Sequence, residues 1–344
     1  MLILGNNPPL ATEQAPERSF RELVTRPLLP RQRQASERNA RLVATFAGVT
    51  LVAIVGFILS FMARESLPLL LRVNIWEFIS GRSWYPVSEP PTFQIWPFIV
   101  ASVLVTAHAV LIAVPFGLAT AVYLAEMAPR RWRSLSKPLL ELLAGIPSII
   151  YGLVGLLVVA PLVRRVFDLN TGLSGFAAAI LLAVMILPTI ISLSDEAIRS
   201  VPRDYRAASL ALGATQWKTL VKVTLPAATS GIKSALLLAF GRALGETMLV
   251  LMVAGGRIAV PSNIMQPMRT ITATLAAEVN DTAFGSDHYR ALFGLGFILL
   301  LATLLLSVLA ERYAQRSRRQ AGLGQGGGPA RGRARAGKGG ARHA

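Results

Sequence analysis

Apolar residues in this 344-residue chain gather into six long runs, separated by short polar, basic or proline-rich segments. The runs lie at about 41–62, 97–125, 139–162, 175–193, 227–254 and 291–311. Each is near or beyond the roughly 20 residues that carry a helix across a hydrocarbon core of roughly 30 Å. The pattern predicts an all-α membrane protein with six transmembrane helices. The second run is long enough to tilt, bend at Pro115 or extend past the lipid. The third is interrupted by Gly145-Ile146-Pro147-Ser148 and the fourth by Leu187-Pro188-Thr189. Such breaks are either ordinary kinks or places where freed backbone groups and hydroxyls, here those of Ser148 and Thr189, line a cavity. Trp76, Trp84, Tyr85 and Trp96 crowd residues 64–96, which predicts an external loop with an interfacial aromatic belt. Residues 255–290 form a second, longer external loop on this pattern.

Between the fourth and fifth runs, residues 203–220 are too polar to cross a bilayer and predict an amphipathic elbow on one membrane face. Gly213 permits a positive φ between two short helices, Thr215 is a candidate N-cap for the second, and Pro226 is expected to end it. The flanks are simpler. Residues 1–40 predict a disordered basic tail, and the Arg-rich approach to residue 41 fits an uncleaved signal anchor. Residues 313–344 predict a disordered Gly/Arg-rich tail. Lys and Arg concentrate in both tails, in 126–138 and in the elbow, which places those segments and both termini in the cytoplasm.

Composition narrows the function. Apolar residues make up 53% of the chain and charged residues 15%, which excludes a soluble two-domain protein of this length. The net charge of +17 sits mostly in the tails. Beside a bilayer it reads as a positive-inside signal and an attraction to anionic lipid, with no nucleic acid as partner. Cysteine is absent and three scattered histidines offer no metal site. His108, inside the second run, fits a packed histidine bonded to a neighbour better than a proton relay. Gly332, Gly337 and Lys338 nearly spell a phosphate loop, but Gly339 stands where Ser or Thr is needed and no strand precedes it. The chain therefore predicts no cofactor of its own and no catalytic residue.

Two charges inside the fifth run carry the candidate chemistry. Counting about 1.5 Å per residue from Gly231 puts Arg242 roughly 16 Å deep. A charge there costs about 3 kcal/mol on insertion scales. Glu246 follows at i+4, so the two are expected to share a helix face and pair. The planar guanidinium suits an oxyanion in a translocation path, with Glu246 holding it between transport events. A purely structural ion pair is the other reading. Gly241 and Gly245 form a small-xxx-small pair for close helix packing, within the chain or against a partner subunit.

Arg206-Ala207-Ala208-Ser209, then Gly213-Ala214, Trp217, Val223 and Leu225-Pro226 resemble the EAA loop by which permease subunits of ABC importers dock on their ATPases. Ala207 stands where that motif carries glutamate. With GRALGETMLVLMVAGG, VPRDYRAASLALGAT and GIPSIIYG, residues 66–312 resemble PstC-type permeases of the bacterial phosphate importer. That resemblance implies a MetI-like fold with a cytoplasmic coupling elbow in the bacterial inner membrane. It implies a PstA-like second permease subunit, a PstB-like ATPase dimer that binds ATP and Mg, and a PstS-like external phosphate-binding protein. Arg206, Ala207, Ala208, Ser209, Gly213, Ala214 and Trp217 are then the ATPase-coupling residues, and Arg242, Glu246, Ser148 and Thr189 the substrate pathway.

Overall fold

A computed structural model describes residues 30–322; the outer parts of both predicted tails, 1–29 and 323–344, lie outside the described residues. The chain divides after Ser60 into two units. Among the described residues, six helices are long and apolar enough to cross a membrane. The first apolar run lies in α1 (Pro30–Leu70). Its stretch 39–60 exposes almost every side chain. The helix already includes residues 30–40, which the sequence assigned to the tail. Good helix formers (Arg, Gln, Ala, Glu) fill that stretch, and polarity alone does not stop a helix.

The second unit begins at Phe61 and is built on two long helices. α3 (Trp96–Val122) runs straight through Pro115, and α7 (Gly175–Arg199) runs through Pro188 without the expected interruption. A proline inside a helix costs one N–H donor but leaves the rest of the ladder intact when neighbours hold the helix. The buried stripe of α3 is Ala101, Val105, Ala109, Ala113, Gly117 and Ala121, at four-residue spacing. It meets Ala178, Leu182, Ile186 and Ile190 of α7 in the main core. A Cβ on Gly117 would lie 2.7 Å from Ile190 Cγ2, so only glycine permits that approach. Small residues give van der Waals contact where lipid supplies no hydrophobic drive.

The third span differs from its prediction. Residues 139–145 belong to α4 (Arg130–Gly145), which has no buried residue, and the spanning helix starts at Ser148. Trp132, Leu135, Leu139, Leu142 and Leu143 repeat with helical period on α4 while charges occupy its other face, an amphipathic pattern suited to a membrane interface. Extended backbone at Ile146-Pro147 separates it from α5 (Ser148–Val154). A π-type turn then leads to α6 (Ala160–Val166).

The fifth span also moves. Helical structure is continuous from Gln216 to Leu244, so Pro226 does not end a helix; it follows directly on the π-type turn Leu220–Thr224, as the second residue of α10 (Leu225–Leu244). At the far end α10 stops at Leu244, capped by Gly245, and α11 (Met248–Val253) follows as a separate short helix.

The end of the bundle opposite the elbow is packed rather than looped. α2 (Ile75–Ser80) precedes two antiparallel strands, β1 (Trp84–Tyr85) and β2 (Thr92–Phe93). Trp84 is buried, edge-on to Phe93 and Phe98 at 5.8 and 5.3 Å, while Trp76 remains exposed. The expected belt is thus partly a core. The predicted loop 255–290 carries α12 (Ile271–Glu278), whose first four residues are buried. Glu278 binds Arg269 Nη1 (2.6 Å), His288 Nε2 (2.9 Å) and the Trp84 indole N–H (3.1 Å). α13 (Asp287–Gly322) closes the unit, continuing helical through 313–322 of the predicted tail.

Candidate functional site

The elbow forms as its sequence dictates. α8 (Arg203–Ala211) ends where Gly213 takes φ +83°, and Thr215 Oγ1 accepts from Lys218 N at 3.2 Å to cap α9 (Gln216–Thr219). The Ser209 and Thr219 hydroxyls share a hydrogen bond of 2.9 Å that fastens the two helices together. Ala207, Ala208, Gly213 and Trp217 are exposed, with Ser209 and Ala214 half-buried, and Leu212 is 89% accessible. A surface that presents Leu210, Leu212 and Trp217 beside small residues suits a protein partner. Arg206 behaves differently from the others. Its Nη2 turns inward, donating to Ile198 O at 2.9 Å and meeting Glu126 Oε1 at 2.7 Å.

Near the other end of α10, Arg242 occupies the last turn, where the negative end of the helix dipole favours a cation. It therefore stands at a helix end and not in mid-helix. Its Nη1 donates to Thr189 Oγ1 at 3.1 Å. Glu246 is not its partner: no ion pair joins the two among the described residues. The expected i, i+4 pairing needs a continuous helix, and Gly245 breaks it. Glu246 Oε1 instead accepts from Leu249 N at 3.3 Å in the first turn of α11, and its carbonyl accepts from Thr272 Oγ1 at 2.7 Å.

Arg242 faces a cavity of about 460 Å³ between α10 and α13, lined also by Ser234, Gly241, Thr303, Ser307 and Glu311. The Ser234, Thr303 and Ser307 hydroxyls donate to carbonyls of their own helices (Ser230 O, Leu299 O and Thr303 O), so the guanidinium is the donor that this recess offers an oxyanion, and Glu311 places a carboxylate in the same lining. Thr303 and Ser307 were not singled out in the sequence; their four-residue spacing on α13 is the signal that could have found them. Of the other pathway candidates, Thr189 reaches Arg242, whereas Ser148 is half-buried in the first turn of α5 with no hydrogen bond to Arg242. Tyr151, one turn further on, lies within electrostatic reach of Arg242 and donates to Leu143 O at 3.0 Å. A Cβ on Gly241 would meet nothing within 4 Å, and one on Gly245 only the carbonyls of its own helix. The close packing expected of this pair is therefore not within the chain. His108 is satisfied locally, its Nδ1 lying 2.8 Å from Leu104 O.

Residues 113–319 match the model of the binding-protein-dependent transport system inner membrane component family. The chain is 35% identical over 286 residues to a probable ABC transporter permease protein, YqgH, of Bacillus subtilis, covering 83% of this chain and 93% of that one. It is 37% identical over 253 residues to the phosphate transport system permease protein PstC of Mesorhizobium japonicum, covering 68% and 76%. A bacterial ABC transporter structure involved in import of the acidic polysaccharide alginate superposes with TM-score 0.51 at 16% identity, over 83% of this chain and 99% of that one. An inward-facing MetNI methionine transporter superposes with TM-score 0.50 at 20% identity, over 67% and 99%. With six helices able to span a membrane and a match over most of its length, the chain is a multi-pass membrane protein that belongs to the binding-protein-dependent transport system inner membrane component family.

Proposed function

We propose that this protein is a permease subunit of an ATP-driven importer that moves inorganic phosphate into the cytoplasm by alternating access. The observation that carries the substrate is its likeness, at 37% identity, to a phosphate transport permease. The Arg242 recess supplies a matching chemistry. A guanidinium presents paired donors to a phosphate, and the Ser234, Thr303 and Ser307 hydroxyls beside it would join only by turning from their own helix carbonyls. In this conformation Thr189 holds the guanidinium, and an arriving anion would exchange for that single contact. Glu246 fixes the start of α11, one turn of chain beyond Arg242.

The elbow lies in the cytoplasm with both termini and docks an ATPase dimer of the PstB type, which binds ATP and Mg. The end bearing β1 and β2 faces outward, toward a PstS-like receptor. The open face at Gly241 and Gly245 takes a homologous, PstA-like subunit, which completes the recess and adds the further donors a divalent anion needs. This chain makes and breaks no bonds itself.

Labelled phosphate uptake tests the reading. Uptake should vanish when the ATPase is deleted, survive an uncoupler while ATP is maintained, and resist competition by sulfate, molybdate or phosphonate. Uptake that persists without the ATPase and collapses with the uncoupler contradicts it. Competition by another oxyanion at equal concentration would reassign the substrate.

A further inference from the structure

Beneath the elbow, three arginines from three elements converge on the end of α3. That helix finishes in a wide π-type turn, Tyr123–Met127, with its carbonyls at the negative end of a long helix dipole. Arg133 of α4 donates to Leu124 O through Nε (3.1 Å) and Nη2 (3.0 Å), and to Ala125 O (2.9 Å). Arg199 of α7 donates to Leu124 O at 3.1 Å while Asp195 holds it at 2.8 Å. Arg206 is the member contributed by the elbow, and it bridges Ile198 O at the end of α7 and the Glu126 carboxylate at the end of α3.

We propose that Glu126 is a positioning residue of the coupling machinery: by orienting Arg206 it latches the elbow to α3 and α7, so that displacement of the elbow reaches both spans as one body. The inference rests on the elbow being the ATPase dock. Two features single out this connection. A cavity of about 620 Å³ lies between the elbow and the end of α3, bounded by Glu126, Arg206, Trp217, Thr219 and Thr224. Packing does not fill that space, so the charge contact spans it at one wall. The elbow's other exit is a second π-type turn, Leu220–Thr224, in which the buried Thr224 hydroxyl has no hydrogen-bond partner. Both links of the elbow to the bundle thus end on π-type turns, and the Arg206–Glu126 ion pair is what ties it to the end of α3 beside α7. A single nitrogen of Arg206, Nη2, serves both acceptors.

The test uses the full complex with its ATPase and receptor in proteoliposomes. Because the chain has no cysteine, spin labels placed at Leu212→Cys on the elbow and Leu111→Cys on α3 report their separation without background once any cysteines of the partner subunits are replaced. In the unsubstituted complex the separation stays constant between nucleotide-free and ATP-bound states. In Glu126→Gln it broadens, ATP hydrolysis stays within about twofold, and phosphate moved per ATP falls about fivefold to tenfold, as expected for a lost coupling between sites. The exchange of Glu126→Arg with Arg206→Glu recovers part of that ratio. A Glu126→Gln complex with unchanged ratio and separation overturns the inference, as does loss of assembly that the exchange fails to restore. Absence of ATP-driven uptake in the unsubstituted complex would instead sink the importer reading on which this rests.

Discussion

The Arg242 guanidinium donates to the Thr189 hydroxyl across 3.1 Å, joining the last turn of α10 to the middle of α7. A cation that apolar surroundings would expel is thereby held by a charge-assisted hydrogen bond and a helix dipole at the edge of a recess. Thr189→Val keeps the shape and removes the acceptor. A hydrogen bond to a charged group contributes about 1.5–3 kcal/mol net, so phosphate affinity or uptake should shift by up to roughly ten- to a hundredfold with the complex intact. Uptake kinetics alongside subunit stoichiometry check it. An unaltered profile would mean that the contact has no part in transport.

Gly241 and Gly255 separate two kinds of glycine. At Gly255, φ is +90° and a Cβ would sit 2.7 Å from Pro267 Cβ and 3.1 Å from Leu173 O. Gly255→Val should therefore lower the thermal stability of the isolated subunit in detergent, by a strain of about 1–2 kcal/mol before any clash. Gly241→Leu meets open space and should leave that stability unchanged while weakening association with the second permease subunit. Equal effects on fold and assembly would contradict the placement of the partner.

The hydrophobic runs revealed the membrane class and most span positions because length and apolarity are local properties. The elbow was legible for the same reason: Gly213 and Thr215 act within a few residues, and both adopt the geometry that their side chains favour. What the sequence misplaced depended on distant partners. Whether Pro188 breaks a helix is decided by what packs on α7, and whether residues 139–145 cross the membrane depends on the backbone turn at Pro147. The Arg242–Glu246 pair looked sound on helical spacing, but Gly245 ends the helix between them. Trp84, read as an interfacial aromatic, is a core residue because Glu278, nearly two hundred positions away, accepts its N–H.

That Glu278 cluster supplies a stability prediction. Arg269 and His288 share one carboxylate, and all three side chains are mostly buried. Glu278→Gln leaves Arg269 without its counter-charge and should destabilise the subunit by about 3–5 kcal/mol, the cost of breaking a buried pair on one side. Thermal melting in detergent reads this. A change within experimental error would show that the cluster is solvated in the assembly.

At the elbow, Gly213→Ala should cost about 1 kcal/mol of local conformational strain, since nothing lies within 4 Å of the added methyl. Co-purification of the ATPase should fall several-fold while the spans remain folded. Full retention of the ATPase would mean that the turn at Gly213 does not shape the docking surface.

The central claim is that Arg242 receives the anion on its way through. Arg242→Gln removes a charge-assisted contact worth about 1.5–3 kcal/mol, so ATP-driven uptake of labelled phosphate in proteoliposomes should fall roughly ten- to a hundredfold with the full complex still assembled. Uptake at the unsubstituted rate, or a loss fully explained by failure to assemble, would contradict the account.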